Sequence, residues 1–290
     1  RIFYIIKIPM YLMQNKKKFN QISNNIKEIK IQGARNIAKA ALEAYFLIPT
    51  KVSKKKLLSL RPTEPMMENV LDMAEKGILK TKIINHFSEA QEKINSAVFK
   101  LIKNNEKIFT HCHSTNVINS LIYAKRKGKK FEIYNTETRP LFQGRKTSRE
   151  LRKAGIKVTM FVDSAIAIAI EKQNKNDKIH ATKIFLGADA LLKNGIINKI
   201  GSGIIAELAY KHKIPLYILA DSWKFTKSKV PLENRKLNEV WDKAPKNIRI
   251  QNPAFEFVDK KYIKGIVSEY GLMRYGEFIA KRQKLKYFGD

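Results

Sequence analysis

The chain has 290 residues, 44% hydrophobic and 10% aromatic, which is enough apolar material for folded cores and excludes a disordered basic tail. A single cysteine excludes a disulfide framework and fits a reducing, intracellular setting, so the expected localisation is cytoplasmic. Lys and Arg number 57 against 26 Asp and Glu, a net charge of +31, but the surplus is dispersed lysine; this argues against a nucleic-acid partner and favours phosphorylated small molecules drawn by the same field.

The apolar opening, residues 1–13, is broken by Lys7 and Pro9 and followed by Lys16, Lys17 and Lys18. It is too short for a membrane span and lacks a small-residue cleavage site, so no membrane association is expected. From about residue 14 to 104 the apolar spacing is helical. Ile31, Ala34, Ile37, Ala38, Ala41, Leu42 and Tyr45 recur at intervals of three and four, a face that must end before Pro49. A second helix is expected after Pro62, with Thr63 as N-cap and Pro65 in the first turn, and a longer one over 88–103.

After Asn105 the period changes. Strands are expected at 107–111, 131–136, 156–162, 182–187 and 215–220, with helices near 115–127, 146–154, 163–173 and 199–212. This alternation predicts an α/β fold: an N-terminal helical domain over 1–104 and a doubly wound, mainly parallel Rossmann-like sheet over 105–290. Ligands in such sheets bind at strand C-termini, where Cys112, Glu137, Asp163, Asp189 and Asp221 fall. The segment Asp163 to Ile170 is apolar nearly all round and belongs either to the core or against a partner chain.

Cys112 lies between two histidines, before a helix N-terminus and amid many cations, surroundings that favour a thiolate. No second cysteine and no His-x₃-His spacing accompanies it, so no metal site is expected. Asp189 offers a carboxyl group, and Arg61, Arg139, Lys199 and Lys224 offer cations for phosphates. Gly33, at the start of a helix, offers free backbone N–H groups for the same purpose.

Several segments now combine: Ile31-Gln32-Gly33-Ala34-Arg35, Arg61-Pro62-Thr63, Thr110-His111-Cys112-His113-Ser114, Thr136-Glu137-Thr138-Arg139-Pro140, Gln143-Gly144, Gly187-Ala188-Asp189, Asn198-Lys199-Ile200-Gly201 and Trp223-Lys224-Phe225. In this order, from about Ile29 to Met273, they resemble the superfamily that joins sugar-phosphate aldose–ketose isomerases to the regulatory subunits of translation initiation factor 2B. The isomerase branches keep a Cys and an Asp as acid–base pair, whereas the initiation-factor subunits generally lack both. Cys112 and Asp189 stand at the matching positions, and the wording around them looks more like the archaeal ribose-1,5-bisphosphate branch than the methylthioribose-1-phosphate branch.

The resemblance implies conversion of ribose 1,5-bisphosphate to ribulose 1,5-bisphosphate with no metal or other cofactor, and assembly as a homodimer or homohexamer. It implies catalysis by Cys112 as thiolate base and Asp189 as carboxyl acid. It also implies substrate contacts from Gln32, Gly33, Ala34, Arg35, Arg61, Ser114, Thr115, Asn116, Asn198, Lys199 and Lys224, with Gln143 lining the same pocket. Two departures stand out. The family's usual Arg-Gly-Ala is Gln32-Gly33-Ala34 here, leaving Arg35 to supply the charge, and the loop from Asp189 to Asn198 is one residue shorter. The alternative reading is a non-catalytic initiation-factor-like subunit that binds a protein partner or a sugar-phosphate ligand.

Overall fold

The computed structural model describes residues 2–171 and 180–285, and of residues 2–10 only the backbone helix. They fold as two compact units, Arg1–Phe87 and Ser88–Asp290. No helix among the described residues is long and apolar enough to cross a membrane.

The first unit is helical: α1 (Ile2–Lys27), α2 (Ala34–Leu47), α3 (Lys51–Leu60), α4 (Pro65–Glu75) and the start of α5 (Lys80–Leu101). The expected apolar face of α2 is buried at Ala34, Ile37, Ala38, Ala41, Leu42 and Tyr45, and α4 buries Met67, Val70, Leu71 and Ala74. Three expectations need correction. The N-cap of α4 is Glu64 rather than Thr63, because Pro65 takes the first helical position, where its missing N–H costs nothing. The helix expected from residue 88 begins at Lys80, with Ile83 and Phe87 extending its buried face backwards. α3 was not expected; Thr50 caps it, its hydroxyl accepting from Ser53 N–H at 3.1 Å.

The second unit is the doubly wound sheet. Its strands are β1 (Glu106–Thr110), β2 (Phe131–Thr136), β3 (Lys157–Phe161), β4 (Lys183–Leu186), β7 (Leu216–Leu219), β9 (Gly265–Ser268) and β10 (Gly271–Met273), in the order β10-β9-β7-β4-β1-β2-β3. All neighbours pair in parallel except β10, which runs antiparallel to β9. Helices α6 (Thr115–Arg126), α7 (Gln143–Lys153) and the second half of α5 cover one face; α8 (Ile166–Ile170), α9 (Ser202–Lys211) and α10 (Tyr275–Lys284) cover the other. The two-residue pleat divides the core accordingly. Ile108, Phe185, Leu219 and Val267 point to the first face, and Phe109, Ile184, Leu186, Ile218 and Ile266 to the second. Strands buried on both faces are continuously apolar, so the sequence marks them clearly.

The strand expected at 131–136 matches β2, and the other four expected strands match within a residue at each end; His111 falls just beyond β1. The helix expected at 163–173 is a 3₁₀ turn, Asp163–Ala165, followed by α8, and its end at 172–173 lies outside the described residues. Ile166, Ala169 and Ile170 belong to the core, which accounts for most of that segment's apolarity, while Ile168 is exposed. The helix expected from residue 199 begins at Ser202.

The expected loop from Asp189 to Asn198 is instead a hairpin of β5 (Ala190–Leu191) and β6 (Gly195–Lys199). With β8 (Phe255–Asp259) it forms a separate antiparallel sheet in the order β5-β6-β8. β6 is buried at every residue and so lacks the alternation that marks a half-exposed strand. Gly195 is required there, since a Cβ would lie 2.2 Å from the Val258 carbonyl oxygen.

Candidate active site

The ends of β1, β2, β3, β4 and β7 deliver Cys112, Glu137, Asp163, Asp189 and Asp221 to the C-terminal edge of the sheet, as the alternating pattern requires. Cys112 is half-buried and left-handed, with φ 65°. A non-glycine residue held there stores on the order of 1–3 kcal/mol of strain, so its surroundings must over-determine it. Its N–H donates to Thr138 Oγ1 at 3.0 Å, and its carbonyl accepts from Thr147 Oγ1 at 2.7 Å.

Gly187 allows α6 to approach the β4 end, because a Cβ there would meet Ser114 Oγ at 2.6 Å. Ser114 is the N-cap of α6 but makes no side-chain cap bond, so Ser114 and Thr115 present an uncapped helix N-terminus beside Gly187-Ala188-Asp189. The Asn116 side-chain amide donates to Gln91 Oε1 on α5 at 3.1 Å.

Lys199, at the end of β6, and Lys224 are both buried. Lys224 Nζ donates to the Ala188 carbonyl at 2.5 Å and so fixes the turn that carries Asp189. Asn198 Nδ2 donates to Ser202 Oγ at 2.8 Å, and Ser202 in turn to the Lys199 carbonyl, which holds the strand end. Gln143 opens α7, its Oε1 buried without a hydrogen-bond partner.

Gln32, Gly33, Ala34, Arg35 and Arg61 belong to the first unit. Gly33 has φ 84° and starts α2 with no side-chain cap, leaving its first amides open. Gln32 is exposed, its amide donating to the Ile29 carbonyl at 3.2 Å; Arg35 lies over the Phe87 ring; Arg61 is buried with Glu64 at 3.7 Å.

The electrostatics reverse one expectation. The Cys112 thiol is pushed up to about 11, chiefly by burial, with Asp189 and Asp163 raising it further while Lys199 and the His113 N–H oppose. The flanking histidines add no positive charge. Burial, with Lys146 nearby, lowers His113 to about 4, and burial also lowers His111. His111 Nε2 faces the Ile200 carbonyl at 2.9 Å, which can only accept, so the neutral ring carries its proton on Nε2 and Nδ1 accepts from Thr136 Oγ1 at 2.5 Å. At neutral pH the sulfur therefore rests as a thiol.

Two outcomes follow. In the substrate-free protein, iodoacetamide should react with Cys112 more slowly at pH 7.5 than with an ordinary cysteine, and faster as pH rises from 9 towards 11. The folded state also holds this proton more tightly than the unfolded chain. Its stabilising contribution is thus complete below the ordinary cysteine range and lost between about pH 9 and 11. Urea unfolding across that interval should show the wild type losing stability that Cys112→Ala does not; parallel curves would contradict the raised pKa.

The sequence reading did not single out Thr138 or Thr147 as site residues. Thr138, two residues beyond β2, stands in the segment Thr136 to Pro140 that carries the resemblance, whereas Thr147 is marked only by its position in the first turns of α7.

The model of the initiation factor 2 subunit family matches residues 68–275. A protein of Methanocaldococcus jannaschii named ribose 1,5-bisphosphate isomerase is 32% identical over 281 residues, covering 86% of this chain and 89% of its own. One of Pyrococcus furiosus, named putative translation initiation factor eIF-2B subunit 2-like, is 27% identical and covers 89% of this chain and 96% of its own. The crystal structure of the Pyrococcus horikoshii OT3 translation initiation factor eIF-2B superposes with a TM-score of 0.77 at 24% identity, covering 88% of this chain and 96% of that one. The family match over residues 68–275 and the 32% identity across most of the chain show that it belongs to the initiation factor 2 subunit family.

Proposed function

We propose that the protein is a sugar-phosphate aldose–ketose isomerase that converts α-ribose 1,5-bisphosphate to ribulose 1,5-bisphosphate. The observation that carries this reading is that Cys112 and Asp189 follow the ends of the adjacent strands β1 and β4, with the buried Lys199 at the end of β6. The kinship with the archaeal ribose-1,5-bisphosphate isomerase supports the choice of sugar. The buried ammonium groups of Lys199 and Lys224, and the uncapped N-terminus of α6, favour a phosphorylated ligand.

The reaction moves two protons. C2 loses one and C1 gains one; the C2 hydroxyl loses another and the ring oxygen gains one when the C1–O bond of the ring breaks. A thiol that rests protonated suits the oxygen path. Cys112 gives its proton to the opening ring oxygen and recovers one from the C2 hydroxyl as the ketone forms. Asp189 suits the carbon path, taking the C2 proton to form an enol phosphate, exchanging it with solvent while the enol lasts, and then protonating C1. Both groups finish as they began. This assigns Cys112 the donor role in place of the thiolate base expected from its neighbours in sequence.

The test is to incubate the protein with α-ribose 1,5-bisphosphate in D₂O and follow the product by NMR, with methylthioribose 1-phosphate as comparison. Ribulose 1,5-bisphosphate carrying deuterium at C1 is the expected result. Turnover of methylthioribose 1-phosphate alone would move the proposal to the other sugar. Binding without turnover of either would favour the regulatory-subunit reading, which the initiation-factor-like relative supports. Self-association belongs to the same proposal: β3 is an edge strand, and Met160, Val162 and Ile168 around it are exposed.

A further inference from the structure

Cys112 is not the only strained residue at this edge. Thr138, at the end of the adjacent strand β2, also has a left-handed backbone, with φ 62°, although it is β-branched. The two strained turns are joined, because the Cys112 N–H donates to the Thr138 hydroxyl at 3.0 Å. The Thr138 turn is held from the next strand end, where the two carboxylate oxygens of Asp163 accept from Thr138 N–H at 2.9 Å and Arg139 N–H at 2.6 Å. On the other side of the cysteine, Thr147 donates its hydroxyl proton to the Cys112 carbonyl at 2.7 Å, so its oxygen is left to accept from His113 Nδ1 at 3.2 Å. Both threonines are about 1% exposed, so neither hydroxyl has water as an alternative partner.

We propose that Asp163, Thr138 and Thr147 are positioning residues: a clamp spanning the ends of β3 and β2 and the start of α7 grips the Cys112 main chain on both its N–H and its carbonyl and thereby aims the sulfur. This deepens the isomerase reading and rests on it for its catalytic readout only. No clamp member need touch the sugar. Its removal leaves the phosphate contacts in place and turns the thiol away from the reacting atoms, a displacement that acts on the chemical step rather than on binding.

The experiment compares Thr147→Val with Thr147→Ser, and Thr138→Val with Thr138→Ser. Valine keeps the shape and deletes the hydroxyl, while serine keeps the hydroxyl. Each valine variant should lower kcat about a hundredfold with KM within about twofold, and each serine variant should recover most of the loss. In the substrate-free protein, iodoacetamide reactivity of Cys112 against pH should shift in both valine variants and return in both serine variants. Should Thr147→Val fail to fold, the Thr138 pair decides. The clamp is overturned by folded valine variants that keep wild-type kcat and alkylation profile, or by serine variants as impaired as valine, which would make the role one of packing. If the wild type turns over no sugar phosphate, the catalytic reading fails by itself and the alkylation pattern still judges the clamp.

Discussion

Cys112→Ser and Asp189→Asn should each lower kcat for ribose 1,5-bisphosphate isomerisation by about 10³-fold while leaving the melting temperature close to wild type, since a positioned acid or base contributes typically 10²–10⁴. The two losses have different causes. A serine hydroxyl is far less acidic than a thiol, even one pushed up to about 11, and cannot cycle a proton between the ring oxygen and the C2 hydroxyl. Asparagine keeps the shape at position 189 but cannot take the C2 proton. In D₂O, Asp189→Asn should stop deuterium entry at C1. The Asp189 charge also raises Cys112, so Asp189→Asn should make the thiol more acidic and quicken its alkylation. Substantial turnover by either variant would remove the pair from the mechanism. Because both act on the same substrate, the double variant should be little worse than either single one.

Gly144→Ala should be among the most destabilising single changes in the chain. A Cβ there would lie 1.7 Å from the Thr136 carbonyl oxygen and 2.9 Å from the Glu137 carbonyl carbon, both backbone atoms at the end of β2 that no side-chain rotation can relieve. The first turn of α7 is sewn to that strand end. Gly144 N–H donates to the Glu137 carbonyl at 3.1 Å, and the Gly144 carbonyl accepts from Asn135 Nδ2 at 2.9 Å. Inserting the methyl group must push helix and strand apart, at a cost of about 3 kcal/mol or more. Thermal melting should fall by roughly 5–10 °C. α7 also carries Thr147, whose hydroxyl donates to the Cys112 carbonyl, so residual folded protein should be catalytically impaired. Gly276→Ala is the control: it lies inside α10, a Cβ there meets nothing within 4 Å, and the change should be neutral or stabilising by up to about 1 kcal/mol. Equal melting temperatures for the two variants would refute the steric argument.

The sequence by itself determined the doubly wound sheet and the chemical groups at its edge. Strands such as β2 and β4 are covered on both faces, so the short apolar stretches Phe131 to Tyr134, interrupted only by Glu132, and Ile184 to Leu186 stand out against the helical period of their neighbours. A parallel sheet puts ligand chemistry at strand ends, so Cys112 and Asp189 could be named from position and from the wording around them. Tertiary structure alone decided the rest. β6 is buried on every side and too short for periodicity, so its order comes from pairing with β5 and with β8, more than fifty residues away. The protonation of Cys112 was misread for a related reason: histidines and cations beside it in sequence suggest a thiolate, but burial leaves both histidines neutral and places carboxylates in range. The hydroxyls that grip its main chain come from two other elements, and neither Thr138, though it stands in a segment of the resemblance, nor Thr147 shows that role in sequence, because hydrogen bonds between strand ends obey proximity in space rather than spacing along the chain.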